Sequence, residues 1–251
     1  MAKRHLSGLI LACLTSAMLL TGLSARADAL QVGILDSRMM GFRDQSNQLT
    51  GFEAELAQQI CDRMQRQCDL TLQPFSSNLD GVKSGQLDMA LSSILVTEAR
   101  KQYLIFSERY MRSVSSYIGN PDRQPKYRPA RVGVVSGSVQ QFYLQQNHSA
   151  TIETQTYPNI DEVYAALKAK EIDQVLLPAI IQLGFLYNDT SGLFDLIGGP
   201  IDNPKLAGDV AVAISPKKPT LKADVDRAIR SLLTDGSYNK LNNKYFPFNI
   251  Y

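Results

Sequence analysis

Histidine is scarce in these 251 residues, with two copies, and the motifs that commonly organise catalysis or phosphate binding are missing. The chain has no H-E-x-x-H, no Walker A loop and no G-x-G-x-x-G. His5 lies in an N-terminal leader, so a Ser-His-Asp or Cys-His relay would have to use His148. That residue sits in the polar run from Gln145 to Ser149, which reads as a surface loop. No enzyme activity, cofactor or metal is therefore expected.

Long apolar runs are equally few. One exists, from Leu6 to Leu23, behind Lys3 and Arg4 and ahead of Ala25-Arg26-Ala27. A basic start, an apolar core and a small-x-small cleavage site make the layout of a secretory signal peptide, so residues 1–27 are expected to leave on export to the periplasm. The alternative is an uncleaved anchor, since the run is near the minimum spanning length. Cys13 follows Leu11-Ala12, but apolar residues continue beyond it, which argues against a lipoprotein site.

An excess of either charge is also lacking. Losing Lys3, Arg4 and Arg26, with no acid, takes the formal charge from +2 to −1, which withdraws electrostatic support for nucleic-acid or anionic-membrane binding. Of three cysteines, Cys13 leaves with the leader and Cys61 and Cys68 remain. On the exported side of a membrane such a pair reads as a disulfide, worth ~2.5 kcal/mol by chain entropy. A metal or redox site is the competing reading, but the spacing is not C-x-x-C and His148 is distant.

What is present is a folded composition, 44% apolar and 20% charged, in a length that allows one large domain or two small ones. Strand-like Leu30 to Ile34 is followed by Phe52, Leu56, Ile60 and Met64, which share a helix face. Alternation returns at Leu70 and Leu72 and at Leu87, Met89 and Leu91, so the order is β-α-β and the sheet mainly parallel. The pattern recurs: Leu30 to Ile34 is echoed by Ala130 to Val134, and Val82 to Asp88 by Leu167 to Asp173. Two α/β lobes of about 100 residues follow, a plausible domain size. After a strand from Val210 to Ile214, one helix groups Leu221, Val225, Ile229 and Leu232, and a second runs from Gly236 to Lys244. A chain that crosses back to finish its first lobe is one solution.

Ligands in open α/β sheets bind beyond the carboxyl ends of strands. Leu91-Ser92-Ser93 ends a strand, and Thr97-Glu98-Ala99-Arg100 opens a capped helix, so Ser92, Ser93 and Arg100 fall at such a place. Arginine offers a rigid fork to a carboxylate or phosphate. In the second lobe Val135-Ser136-Gly137-Ser138 repeats the strand-to-helix turn, where backbone N–H groups suit an anion.

These residues, with Gly51 to Ala57, Cys61 and Cys68, Asp235-Gly236-Ser237-Tyr238 and Lys244-Tyr245-Phe246, resemble the periplasmic solute-binding proteins of polar amino-acid ABC transporters, bacterial extracellular family 3. The lysine/arginine/ornithine- and histidine-binding proteins look most similar, and the resemblance spans the mature chain. It implies an α/β, two-lobed periplasmic-binding-protein fold (type II), each lobe a mainly parallel sheet flanked by helices. The division implied is 28–113 for the first part of lobe 1, 114–213 for lobe 2 and 214–251 for the return to lobe 1. Two crossing hinge strands, near Ser113 to Ile118 and Asp209 to Ile214, would let the lobes close on ligand.

The resemblance implies that Arg100 grips a ligand carboxylate, with Ser92 and Ser93 at the head group and Phe75 against the stem. Ser138 and Gln140 are implied on the second lobe, and Asp36 as the acidic residue near the first strand, if one extra residue is allowed. Four places depart from the family pattern, and near the first strand Arg38 or Met39 stands where the family has a stacking aromatic. Pro178 stands where an aspartate normally pairs the ligand's ammonium, Leu95 replaces a serine or threonine, and Val139 replaces a threonine. A buried ammonium without an acceptor costs several kcal/mol. Either Asp36 or a backbone carbonyl takes the missing partner's place, or the ligand has no free α-ammonium; lysine, arginine and histidine are expected to bind weakly or not at all, and a carboxylate with a less polar head is expected instead. The expected partner is an ABC permease of the inner membrane, with the protein a monomer. A periplasmic sensing module serving a separate membrane partner is the alternative, and a dehydratase on the same scaffold, with Asp36 as acid/base, a remoter one.

Overall fold

A computed structural model describes residues 29–147 and 150–251. The expected leader, Cys13, His148 and Ser149 lie outside the described residues. Alternation at the start becomes strand β1 (Leu30–Leu35), with Leu30, Val32 and Ile34 buried. A short hairpin of β2 (Phe42–Arg43) and β3 (Leu49–Thr50) leads into helix α1 (Phe52–Arg63). Its buried face holds Phe52, Leu56 and Ile60 at the predicted four-residue spacing, and Met64 caps the end. The unit is completed by β4 (Cys68–Gln73), α2 (Phe75–Ser84) and β5 (Met89–Leu91). Cys61 and Cys68 are joined at 2.03 Å, tying the end of α1 to β4.

Packing of α2 on β1 is close enough to demand glycine. A Cβ at Gly33 would stand 2.1 Å from Asn78 Oδ1. Beyond the short helix α3 (Glu98–Lys101), strand β6 (Ile105–Ser113) passes through Val114 into β7 (Ser115–Gly119) of a second sheet. The second unit runs β8 (Ala130–Val135), α4 (Val139–Gln146), β9 (Ile152–Tyr157), α5 (Ile160–Lys168), β10 (Gln174–Pro178), α6 (Ala179–Asn188) and β11 (Asp195–Ile197). The chain then returns through β12 (Gly208–Ile214), α7 (Leu221–Thr234) and α8 (Ser237–Tyr245).

Two five-stranded sheets result, in the orders β4-β1-β5-β12-β6 and β11-β7-β10-β8-β9. Each contains a parallel trio in the same arrangement, β4-β1-β5 and β9-β8-β10, extended by antiparallel strands. The internal echo has a matching hydrogen bond in each lobe. Asp88 accepts from the Gln31 N–H at 2.9 Å, and Asp173 accepts from the Arg131 N–H at 2.8 Å. In both, an aspartate opening the third strand of the trio anchors the first.

The return point differs from the expected division. Strand β12 pairs with β5 and β6, so residues 208–213 belong to the first sheet and the expected boundary at 213/214 falls inside a strand. Val210 to Ile214 are fully buried because β12 sits between two strands with helices over it. The two crossings run side by side, with Gly208 opposite Ser113 and the Ser115 hydroxyl donating to the Leu206 carbonyl at 2.9 Å. Helices α7 and α8 pack on α1, and Phe246 meets Phe52 edge-on with ring centres 5.3 Å apart.

Candidate cleft between the lobes

Strand β5 ends at Leu91, and the backbone turns sharply through Ser93, whose φ is 49°. Thr97 then caps α3 by accepting from the Arg100 N–H at 3.2 Å. That short helix turns Arg100 inward until it is 4% exposed. Its guanidinium donates from Nη1 to the Leu95 carbonyl at 2.9 Å and from Nη2 across the cleft to the Gly137 carbonyl at 3.3 Å. The Phe75 ring lies 5.3 Å from its central carbon. Among the described residues no carboxylate pairs with it. Burial pushes its proton affinity down to about 10, so it stays cationic at neutral pH.

Arg100 faces a cavity with about 40 Å³ of free space, enough for a few water molecules and too little for an amino acid. Phe75, Ser92, Ser93, Arg100, Ser138 and Gln140 all line this cavity, so six of the seven expected ligand residues meet there. Leu95, Val139 and Pro178 line it too. These three departures from the family pattern thus stand on the wall, Arg38 and Met39 lie outside it, and no acidic residue lines it.

Asp36 does not join them. Leu35 lines the cavity and Asp36 is exposed at the end of β1. Successive side chains on a strand point to opposite faces, so the residue after Leu35 turns away. Partial burial and the charge of Asp161 raise its proton affinity.

Most of the polar wall is committed to the frame. Ser92 accepts from Asn78 Nδ2 at 3.0 Å, and Ser138 caps α4 by accepting from the Gln141 N–H at 3.1 Å. Gln140 donates to the Ser115 hydroxyl at 2.9 Å, on the crossing strand. Ser93 donates both its N–H and its hydroxyl to Glu53 Oε1. Glu53 is wholly buried, also accepts from the Tyr110 hydroxyl at 2.5 Å, and leaves Oε2 without a partner. Burial, opposed by the Tyr110 and Ser93 hydrogen bonds, lifts its proton affinity to about 7.

Glu53 has no role in the sequence reading, though one signal was available. It shares the apolar face of α1 with Leu56 and Ile60, and an acid on such a stripe is buried for a reason. Ile160, Ile181 and Leu206, also on the cavity wall, carry no sequence signal beyond being apolar.

Comparison with known proteins follows this geometry. The family described as bacterial extracellular solute-binding proteins, family 3, matches residues 30–248. The lysine/arginine/ornithine-binding periplasmic protein of Escherichia coli (strain K12) is 29% identical over 217 residues, covering 83% of this chain and 84% of that one. The histidine-binding periplasmic protein of the same organism is 27% identical over 217 residues, with the same coverage. A Salmonella typhimurium periplasmic binding protein of high arginine specificity has the same fold, with a TM-score of 0.79 at 20% identity, covering 87% of this chain and 99% of that one. These relatives are binding proteins, in keeping with the lack of catalytic motifs.

Proposed function

Because this chain belongs to the bacterial extracellular solute-binding proteins of family 3, we infer that it is a non-enzymatic periplasmic receptor, taking a small amino-acid-like carboxylate between its lobes and delivering it to an ABC permease. One observation carries the ligand chemistry: a nearly fully buried guanidinium, Arg100, with no carboxylate partner. An isolated buried charge is costly, and a bidentate carboxylate is the natural complement of the guanidinium fork. The ligand carboxylate replaces the Gly137 carbonyl as partner of Nη2, and hinge closure then seals it.

The same wall argues against a free α-ammonium. Leu95 and Pro178 offer no side-chain acceptor, and no carboxylate lines the cavity. Burying an ammonium there would cost several kcal/mol. The ligand is thus a carboxylate without a charged group on its α-carbon, unlike the basic amino acids named for its relatives.

Thermal-shift and calorimetric titration of the purified protein test this with the amino acids, N-substituted amino acids and simple carboxylates. Ligand at ~100 times its dissociation constant should add about 2.7 kcal/mol of stability. A response confined to carboxylates without a free α-ammonium is expected. Micromolar binding of lysine, arginine or histidine would overturn the ligand assignment.

A further inference from the structure

A hydroxyl has one proton, and where that proton goes decides what the oxygen shows to a ligand. Around the Arg100 cavity the hydrogen bonds settle this for each polar group on the wall.

On the first lobe two neighbouring serines end up opposite in character. Asn78 Nδ2 donates to the Gln73 carbonyl at 3.3 Å, which can only accept, and to the Ser92 hydroxyl at 3.0 Å. The Ser92 oxygen therefore accepts from inside the lobe, and among the described residues nothing takes its proton. Ser93 is the reverse. Its proton goes to Glu53 Oε1 at 2.9 Å, and its oxygen keeps its lone pairs.

The second lobe repeats the pair. Ser138 accepts from the Gln141 N–H, and its own proton has no partner among the described residues. The Leu206 carbonyl takes the Ser115 proton at 2.9 Å, so the Ser115 oxygen must accept. That fixes the Gln140 amide, which turns Nε2 to Ser115 at 2.9 Å. Gln140 Oε1 is left without a donor among the described residues, on a side chain that is 3% exposed and lines the cavity. Buried polar atoms are ordinarily paired, so this oxygen points to a donor that belongs beside it.

Each lobe thus sets a free proton and a free acceptor close together in the chain, Ser92 with Ser93 and Ser138 with Gln140. The protons and the Arg100 fork suit a carboxylate, and the acceptors next to them suit a donor on the adjoining ligand atom. That donor is neutral. Both acceptors are uncharged, and Arg100 in the same cavity repels a second cation.

Building on the cleft as a carboxylate site, we propose that the ligand is a carboxylate whose α-carbon bears a neutral hydrogen-bond donor, either a hydroxyl or an acylated nitrogen. Its carboxylate meets Arg100, Ser92 and Ser138. Its O–H or N–H lies between Ser93 Oγ on one lobe and Gln140 Oε1 on the other. Gln140 is then the residue that selects a neutral donor over an ammonium, because it offers an acceptor without a charge.

Calorimetry of the purified protein with acids that share a six-carbon chain and differ at the α-carbon tests the assignment: hexanoate, 2-hydroxyhexanoate, 2-oxohexanoate, N-acetylnorleucine and norleucine. Either 2-hydroxyhexanoate or N-acetylnorleucine should bind about fivefold or more tighter than hexanoate, the difference that one buried hydrogen bond makes. Which of them does so separates a hydroxyl from an acylated nitrogen. The oxo acid carries an acceptor there and no donor, and should bind no tighter than hexanoate. In Gln140→Met the ratio of the favoured acid to hexanoate should fall towards one, and Gln140→Glu should shift preference towards norleucine. Equal binding of hexanoate and both donor-bearing acids, a 2-oxohexanoate as tight as the favoured acid, or an undiminished ratio in Gln140→Met would overturn the donor assignment and leave the carboxylate site standing. Tightest binding by norleucine would overturn the donor's neutrality. Absence of binding by every one of these acids would sink the cleft reading and this proposal together.

Discussion

Ser93 places both its backbone N–H and its hydroxyl on a single oxygen of Glu53, at 2.6 and 2.9 Å. The floor of the cleft is thus pinned from inside the first lobe by a carboxylate that does not itself line the cavity. The left-handed backbone of Ser93, rare for a residue with a side chain, is held by that pair of bonds.

Truncating this anchor should destabilise the fold. Glu53→Ala leaves the Ser93 N–H and the Tyr110 hydroxyl unpaired in the interior, at about 1–3 kcal/mol each. Chemical denaturation should show a midpoint shift of that size, with Glu53→Gln intermediate. A change below 1 kcal/mol in Glu53→Ala would mean that the network adds little.

The same group should make stability depend on pH. Glu53 holds its proton up to about 7 when folded, against the ordinary 4.5, so between those values the folded state binds more protons than the unfolded one. Its contribution is complete below pH 4.5 and is lost as pH rises through 7. Melting temperatures of wild type minus Glu53→Gln should fall steadily from pH 5 to pH 8. A flat difference would contradict the raised proton affinity.

Arg100→Ala should abolish carboxylate binding, and Arg100→Lys should weaken it by at least tenfold, because a point charge cannot reproduce the bidentate fork. Titration calorimetry reads both. Unchanged affinity in the alanine variant would place the ligand elsewhere.

Restoring an acid to the wall should restore an ordinary amino-acid site. Pro178→Asp places a carboxylate at the end of β10, on the cavity surface. Affinity for a basic amino acid should rise at least tenfold, measured by thermal shift across the same panel. Failure of Pro178→Asp together with Leu95→Thr would show that the side chains at these positions do not decide the ligand's head group.

Reducing the link between Cys61 and Cys68 should cost ~2.5 kcal/mol, by the loop it closes, and lower the melting temperature by several degrees. Ligand affinity should persist, since neither cysteine lines the cleft. Loss of binding on mild reduction would contradict that separation.

The elements were legible wherever burial has one period. Leu30, Val32 and Ile34 announce a half-buried strand, and Phe52, Leu56 and Ile60 a helix face. The boundary at β12 was not, because Val210 to Ile214 are buried on both faces and a uniformly apolar run does not say which sheet it joins. Arg100 was readable as a cavity residue because a capped helix start after a strand end fixes where it points. Asp36 was not, since a single residue of register decides which face it takes. Glu53 went unread because an isolated acid defaults to solvent, and only the fold reveals the Ser93 and Tyr110 donors that hold it inside.

The two crossings leave the first sheet as hydrogen-bonded neighbours, Ser113 beside Gly208. Paired tethers of that kind suppress twist and slide and leave one soft degree of freedom, rotation about the line through them. Gly208 adopts φ 146°, a conformation side chains rarely take, while an added Cβ would meet only Leu95, at 3.6 Å. A side chain at Gly208 would therefore strain the crossing through its backbone and lean on Leu95, a residue of the cavity wall, so this seam ties the path between the sheets to the shape of the cavity.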